Sequence, residues 1–192
     1  DFIKKLRSVI AALVCLQAPL LLPAQDTRLS NVSVRTSAGG ANILITGFTI
    51  GPGPDKQILV RAVGPTLGAF GVTDTLSDPK LELYNSASVK IAENDNFSPA
   101  DAATFASVGA FALVAGAKDA AIVTTLAPGS YSARVTGIGG ASGVALVEVY
   151  EVSGGATRLI NLSTRAQVGT GGNILIPGIT VAPGTGSRRL LL

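Results

Sequence analysis

The chain of 192 residues is 47% hydrophobic and 14% charged, with a formal net charge of +3 and no histidine. Such an apolar share excludes a disordered chain, and the length suits one core, or one domain with part of a second. The positive charge is concentrated at the start, in Lys4, Lys5 and Arg7; from Asp26 onward twelve basic residues face eleven acidic ones, spread singly. No basic patch remains for nucleic acid to bind.

Residues 1–25 combine a short basic head, an apolar run from Val9 to Leu22 interrupted by Gln17 and Pro19, and a Pro-Ala exit. This is the pattern of a secretory signal peptide, with cleavage expected after Ala24 or Gln25. The run is shorter than the roughly 20 apolar residues that cross a bilayer. The mature chain is therefore expected to carry no membrane span and to be secreted or held at the cell surface. The sole cysteine, Cys15, would leave with the signal, so no disulfide or thiolate metal site is expected in the mature chain.

From Asp26 the pattern is one of short β runs divided by Gly- and Pro-containing breaks. The runs "NILITGFTI" (42–50) and "QILVRAV" (57–63) are almost continuously apolar, which predicts central strands covered on both faces. In "PKLELYNS" (79–86) Leu81 and Leu83 alternate with Lys80, Glu82 and Tyr84, so the leucines face inward. In "SPADAATFASVGAFAL", Ser98 is a cap, Pro99 suits the first helical position and Asp101 completes a capping box. One short helix is expected at about 99–108, lying across an edge or end of the fold. The run "SYSARVT" (130–136) places Tyr131, Ala133 and Val135 on one face. The class these elements predict is all-β: an antiparallel β-sandwich, jelly-roll-like, with one short helix.

The opening "TRLSNVSVRT" returns as "TRLINLSTRA" at 157–166. At an offset of 130, Thr27, Arg28, Leu29, Asn31, Ser33, Arg35 and Gly39 match; after one inserted residue, Asn42, Ile43, Leu44, Ile45, Gly47, Thr49, Pro52, Gly53 and Leu59 match at an offset of 131. Sixteen identities over about 35 positions predict a duplication with a unit of about 130 residues. The expected organisation is a signal peptide at 1–25, a complete sandwich at 26–152, a linker at 153–156, and the incomplete start of a second copy at 157–192. A unit of that size is expected to carry its own core, as a bead on a string, and the chain to be cut from a longer array at both ends.

Without histidine, and without cysteine beyond Cys15, the familiar triads and zinc sites are excluded, and neither a Gly-x-Ser-x-Gly elbow nor a phosphate-binding glycine loop occurs. No enzyme is expected. Glu148 and Glu151 differ by an odd number and should point to opposite faces of one strand. Glu93 and Asp95 share a face or a turn; with Asp78 and the carbonyls of Asn94 and Asn96 they form the one candidate Ca²⁺ set, against the simpler reading of an Asx turn. Arg28 and Arg35 recur as Arg158 and Arg165, so each copy needs them, for structure or for binding; they and Arg61 are expected to pair with carboxylates or carbonyls at the domain junction as structural arginines, against the alternative of ligand contact.

The stretch 27–67, together with "LSDPKLELYNS", "IAENDNF", "LAPGSYSARVTG" and "GVALVEVYEV", resembles a module found in tandem in large exported proteins of environmental bacteria. Residues Asp78 to Val152 are also similar to the bacterial pre-peptidase C-terminal domain, through Asp78, Leu81, Leu83, Asn94, Asp95, Pro128, Gly129, Tyr131 and Val147. The resemblance implies a non-catalytic exported β-sandwich. Two functions follow as expectations: a structural or adhesive module whose partners are neighbouring units and surface polysaccharide, or a carbohydrate- or Ca²⁺-binding accessory module of a secreted enzyme. No cofactor beyond that Ca²⁺ is expected.

Overall fold

Alternating and apolar runs become strands, and the breaks between them become turns. A computed structural model describes residues 27–152, 154–170, 174–182, 184, 187, 189 and 190. The predicted signal at 1–25 and Ser153 of the predicted linker lie outside the described residues. The strands are β1 (Arg28–Gly39), β2 (Leu44–Ile50), β3 (Lys56–Val63), β4 (Pro79–Asn85), β5 (Lys90–Asn94), β6 (Ala120–Leu126), β7 (Gly129–Gly137), β8 (Ser142–Glu151), β9 (Leu159–Arg165) and β10 (Ile176–Ala182). A single turn of 3₁₀ helix at Pro99–Asp101 leads into the helix α1 (Ala102–Ser107).

From β1 to β8 the chain is one long hairpin that bends between β4 and β5. Strand β1 pairs with β8, β2 with β7, β3 with β6 and β4 with β5, all antiparallel. Rolling this hairpin brings β3 against β8 and β4 against β7. Two five-stranded sheets result, in the orders β10-β1-β8-β3-β6 and β5-β4-β7-β2-β9. The first eight strands thus follow the jelly-roll order, and the expected all-β sandwich is the observed fold.

Inward positions of both sheets form the main core, which includes Val34, Leu44, Phe48, Ile58, Val60, Leu81, Leu83, Val135, Val147 and Val149. Leu81, Leu83, Ala133 and Val135 are buried as their alternation predicts, and Tyr131 stacks on Phe48 with ring centroids 5.6 Å apart. A second cluster lies on the outer face of the first sheet, where Phe105 of α1 packs with Leu59, Ala121 and Tyr150. The helix begins where it was expected: the Ser98 side chain accepts from the Ala100 N–H at 3.2 Å. It covers part of an outer face rather than an edge or end of the sandwich.

That placement explains a difference between two apolar runs. Strand β3 lies beneath the α1 cover and is buried on both faces, as expected. Strand β2 is flanked by β7 and β9, but its burial alternates, with Ile45, Gly47 and Thr49 only half-buried. Both runs read alike, yet α1 packs over only one of them.

Residues 157–182, expected to open a separate bead, instead supply an edge strand to each sheet. Strand β9 extends the second sheet beyond β2, and β10 extends the first beyond β1. The physical reason is that β1 and β2 are adjacent edges of the rolled hairpin, and unpaired strand edges take up further strands. Leu159 joins the main core, with Leu162 and Leu175 packed against it.

Candidate functional site

The candidate Ca²⁺ residues are each engaged by other groups. Asp78 Oδ2 receives Lys118 Nζ at 2.5 Å, and the Lys118 pKa is raised, first by that hydrogen bond and then by the charge of Asp78, with a smaller contribution from Asp95. The cation beside Asp78 is therefore a lysine ammonium. Glu93 lies on β5 opposite Glu82, and the pair is bridged by Lys80 and Lys90 at 2.5–3.5 Å. Hydrogen bonds from Lys90 and then Lys80 hold Glu93 below the usual carboxylate range. Asn94 turns inward instead: its Oδ1 accepts from Ala121 N–H at 2.9 Å, and its Nδ2 donates to the Asn96 carbonyl. Asn96 Nδ2 in turn donates to Asp95 Oδ1 at 3.1 Å. Among the described residues, no three His, Cys, Asp or Glu side chains converge as a metal site.

Glu148 and Glu151 lie on opposite faces of β8, and each gathers a buried cation. On the outer face, Arg61 is fully buried: its Nε donates to Glu148 Oε2 at 2.9 Å, Nη2 contacts the same oxygen, and Nη1 donates to the Phe111 carbonyl at 2.6 Å. Its guanidinium stands 4.5 Å from the Phe111 ring centroid and 5.1 Å from that of Phe105. Tyr150 donates to the other Glu148 oxygen at 2.7 Å; burial, and then the Glu148 charge, push the phenol pKa up, which keeps it a donor. Every strong contact of the arginine head is used within this cluster, which ties β3, β8 and the segment after α1 together.

On the inner face, at the end of the sandwich, Glu151 receives three elements. Arg28 Nε lies 3.2 Å away and Lys56 Nζ 3.4 Å away. The Leu159 N–H, the first of β9, donates to Oε1 at 2.6 Å. Lys56 also donates to the Gly154 carbonyl at 3.3 Å, Thr157 Oγ1 to the Pro54 carbonyl at 2.7 Å, and Gly51 N–H to the Arg158 carbonyl at 2.8 Å. Burial drives the Lys56 pKa down, while the charge and hydrogen bond of Glu151 work against that fall. Gly53 closes this junction at φ +138°, where a Cβ would meet Thr157 Oγ1 at 2.4 Å, so both its backbone and its neighbour require glycine.

The four recurring arginines divide. Arg28 joins the Glu151 cluster, and Arg158 donates to the carbonyls of Gly155 and Thr157. Arg35 lies opposite Ile176, and Arg165 opposite Ile45, without an ion pair to any described residue. Sequence reasoning missed Lys56 and Asp119. The Asp119 carboxylate is buried and accepts from the Gly64 and Thr66 N–H groups and from Thr66 Oγ1. The available signal was a pair of opposite charges at the border of an apolar run in each case, Asp55-Lys56 and Lys118-Asp119.

The edge pairing is reciprocal. Asn31 faces Thr180 while Thr49 faces Asn161; Ser33 faces Gly178 while Gly47 faces Ser163; Arg35 faces Ile176 while Ile45 faces Arg165; Leu29 faces Val181 while Ile50 faces Leu159. Even the irregularity recurs, with Ser30 skipped on β1 and Ile160 skipped on β9. Strands β1 and β2 thus meet β10 and β9 across an approximate two-fold axis. In comparisons with known proteins, no family model matches the chain, and no curated protein matches its sequence.

Proposed function

We propose that residues 27–152 form a non-catalytic structural or adhesive unit of a large secreted or cell-surface bacterial protein, and that residues 157–182 open the next copy of it. The observation that carries this reading is the reciprocal register of β1 and β2 with β9 and β10, because the positions identical in sequence are also those that answer one another in space. The chemistry of the buried charges agrees with it. Glu148 and Glu151 are consumed in holding strands together, and the acidic turn is neutralised by lysines. The signal-like segment at 1–25 and the resemblance to exported tandem modules and to the pre-peptidase C-terminal domain support an exported location.

Two measurements test this. Residues 1–152 fused to a reporter that is active only outside the cytoplasm should give signal, and deletion of 1–25 should abolish it; equal signal from both would refute export. The coding sequence read beyond residue 192 should continue through the counterparts of β3 to β8 and into further units of about 130 residues. A hydrolase domain directly after residue 192 would refute the tandem array and favour an accessory module.

A further inference from the structure

We propose that the paired edge of β1 and β2 is a two-fold self-association surface, on which a second copy of the unit 27–152 docks with β1 on the partner copy's β2 and β2 on its β1. Residues 157–182 occupy this surface as the part of such a copy that the chain itself carries. The inference rests on the reading of 157–182 as a second copy and goes beyond it, by giving neighbouring units a defined geometry.

The distribution of identities supports it. Positions facing the sandwich interior mostly differ between the copies: Val32, Val34, Thr46, Phe48 and Ile50 correspond to Leu162, Thr164, Pro177, Ile179 and Val181. Positions on the opposite faces are identical: Asn31, Ser33, Arg35, Ile45, Gly47 and Thr49 recur as Asn161, Ser163, Arg165, Ile176, Gly178 and Thr180. A demand for core packing alone would ask the interior for apolar volume rather than identity and would leave the outside free, since cores accept swaps of similar volume. Inward and outward positions alike are opposed across the two-fold axis, Val32 on Ile179 and Phe48 on Leu162 among the inward ones. The outward pairs are those that repeat the same two residue types, as expected where each partner of a cross-strand pair constrains the other. Ser33 and Gly178 show how closely: a Cβ built on Gly178 would lie 2.5 Å from Ser33 Oγ, and one on Gly47 would lie 2.8 Å from Ser163 Oγ. Each serine stands where glycine leaves room.

The outer edges of β9 and β10 point to the same occupant. Phe48 and Ile50 are each 2% exposed, yet their counterparts Ile179 and Val181 are 40% and 41% exposed. A cavity of about 610 Å³ opens beside Ile179, lined also by Val32, Val34, Leu162 and Leu175. In the first copy this space is closed by β7 and β8, with Tyr131 on Phe48. A complete second copy brings the counterparts of β7 and β8 to the free edges of β10 and β9. Both sheets then run unbroken through two units. Because each unit has one such edge, units in an array associate in pairs.

The test uses the full chain with Cys15→Ser. Leu159→Asp with Leu162→Asp places charge in the core beneath β9 and releases 157–182 from the edge. Sedimentation should then show a dimer where the parent is a monomer, and adding Ser33→Cys with Gly47→Cys should yield disulfide-linked dimers on oxidation. A Cβ at Gly178 lies 3.9 Å from Ser33 Cβ, within the disulfide range of about 3.5–4.5 Å. A variant that stays monomeric while melting cooperatively, or a dimer that never links 33 to 47, overturns the proposal and leaves the tandem reading to the downstream sequence. Should the charged variant fail to fold, the cysteine pair in the chain with native 157–182 is oxidised at protein concentrations of about 1 mM and above, where a partner copy competes with a tethered segment. Linked dimers there support the surface, and their absence overturns it.

Discussion

Replacing Glu151 with glutamine keeps its shape and removes its charge. In the native protein that carboxylate faces Lys56 at 3.4 Å and Arg28 at 3.2 Å, and the Lys56 side chain is 1% exposed. Glutamine can still accept from the Leu159 N–H, so the loss isolates the charge. Removing one partner of a buried ion pair costs about 3–5 kcal/mol, because the other charge is left in the interior. Against a typical stability of about 5–15 kcal/mol this is a large fraction. At about 2–4 °C per kcal/mol for a chain of this size, the melting midpoint should fall by roughly 6–20 °C. Glu151→Ala should cost about 1–3 kcal/mol more, since it also orphans the Leu159 N–H. Glu151→Leu with Lys56→Met should recover the charge part of the loss by replacing the pair with apolar volume, while the Leu159 N–H stays without its acceptor. Denaturant melts measure these values, and hydrogen exchange should show β9 losing protection first. The pH dependence has a definite sign. A lysine whose folded pKa lies below its unfolded value of 10.5 imposes a cost at low pH that is relieved as pH rises from the folded pKa to 10.5. Glu151→Gln removes the opposing influence, so the variant should regain more stability at alkaline pH than the parent does. A melt of Glu151→Gln within about 0.5 kcal/mol of the parent would refute the assignment of Glu151 as the clamp of the junction.

Arg61→Met should also cost about 3–5 kcal/mol by stranding Glu148, and Arg61→Lys should not restore it, since one ammonium cannot reach Glu148 and the Phe111 carbonyl as the planar fork does; both are read from denaturant melts. Glu93 is held low by Lys90 and Lys80, so its contribution is complete above pH 4.5 and is lost as pH falls through the lower folded value. Hydrogen exchange at acid pH should therefore show the β4–β5 hairpin opening while β3 and β8 stay protected, and high salt should shrink the difference. The melting midpoint should be the same in Ca²⁺ and in EDTA, because Lys118 sits on Asp78 and Lys90 on Glu93; a rise with Ca²⁺ in calorimetry would restore the acidic turn as a metal site. A double-mutant cycle on Gly47→Ala and Ser163→Gly should give a coupling of about 0.5–3 kcal/mol, with the alanine harmful beside serine and tolerated beside glycine. Independent effects would show that the two positions are not opposed.

Strands with one buried face were legible because period-2 alternation states which side chains turn inward. Leu81, Leu83, Ala133 and Val135 are all fully buried where that rule puts them. The helix start was legible from Ser98 and Pro99, whose local chemistry needs no distant partner. Parity also separated Glu148 from Glu151. What parity could not supply was the cation each one meets, because Arg61 and Lys56 reach β8 only through the rolled hairpin, across a long stretch of chain. The same limit applies to β2 and β3. Both runs look doubly buried, and only the position of α1, itself a long-range matter, decides that β3 is and β2 is not.

The duplication in the sequence measures the length of a unit, and matching letters alone imply nothing about contact. Identity concentrated on one face of a strand, with Leu44 and Leu175 the inward exception, carries more. Had 157–182 served only to start an independent core, its inward residues would need only apolar volume, and Ser163 and Gly178 would be free to change. They match instead on the outward face, where Ser163 lies opposite Gly47 and Gly178 opposite Ser33. Each half of that contact needs its own Asn, Ser and Arg on one strand and its own Ile, Gly and Thr on the other. A single chain must therefore carry both sets twice for the two-fold pairing to form. The interior can drift from Phe48 to Ile179, because a core asks for volume; the paired edges cannot, because a serine hydroxyl within 2.8 Å of a built Cβ asks for glycine in particular.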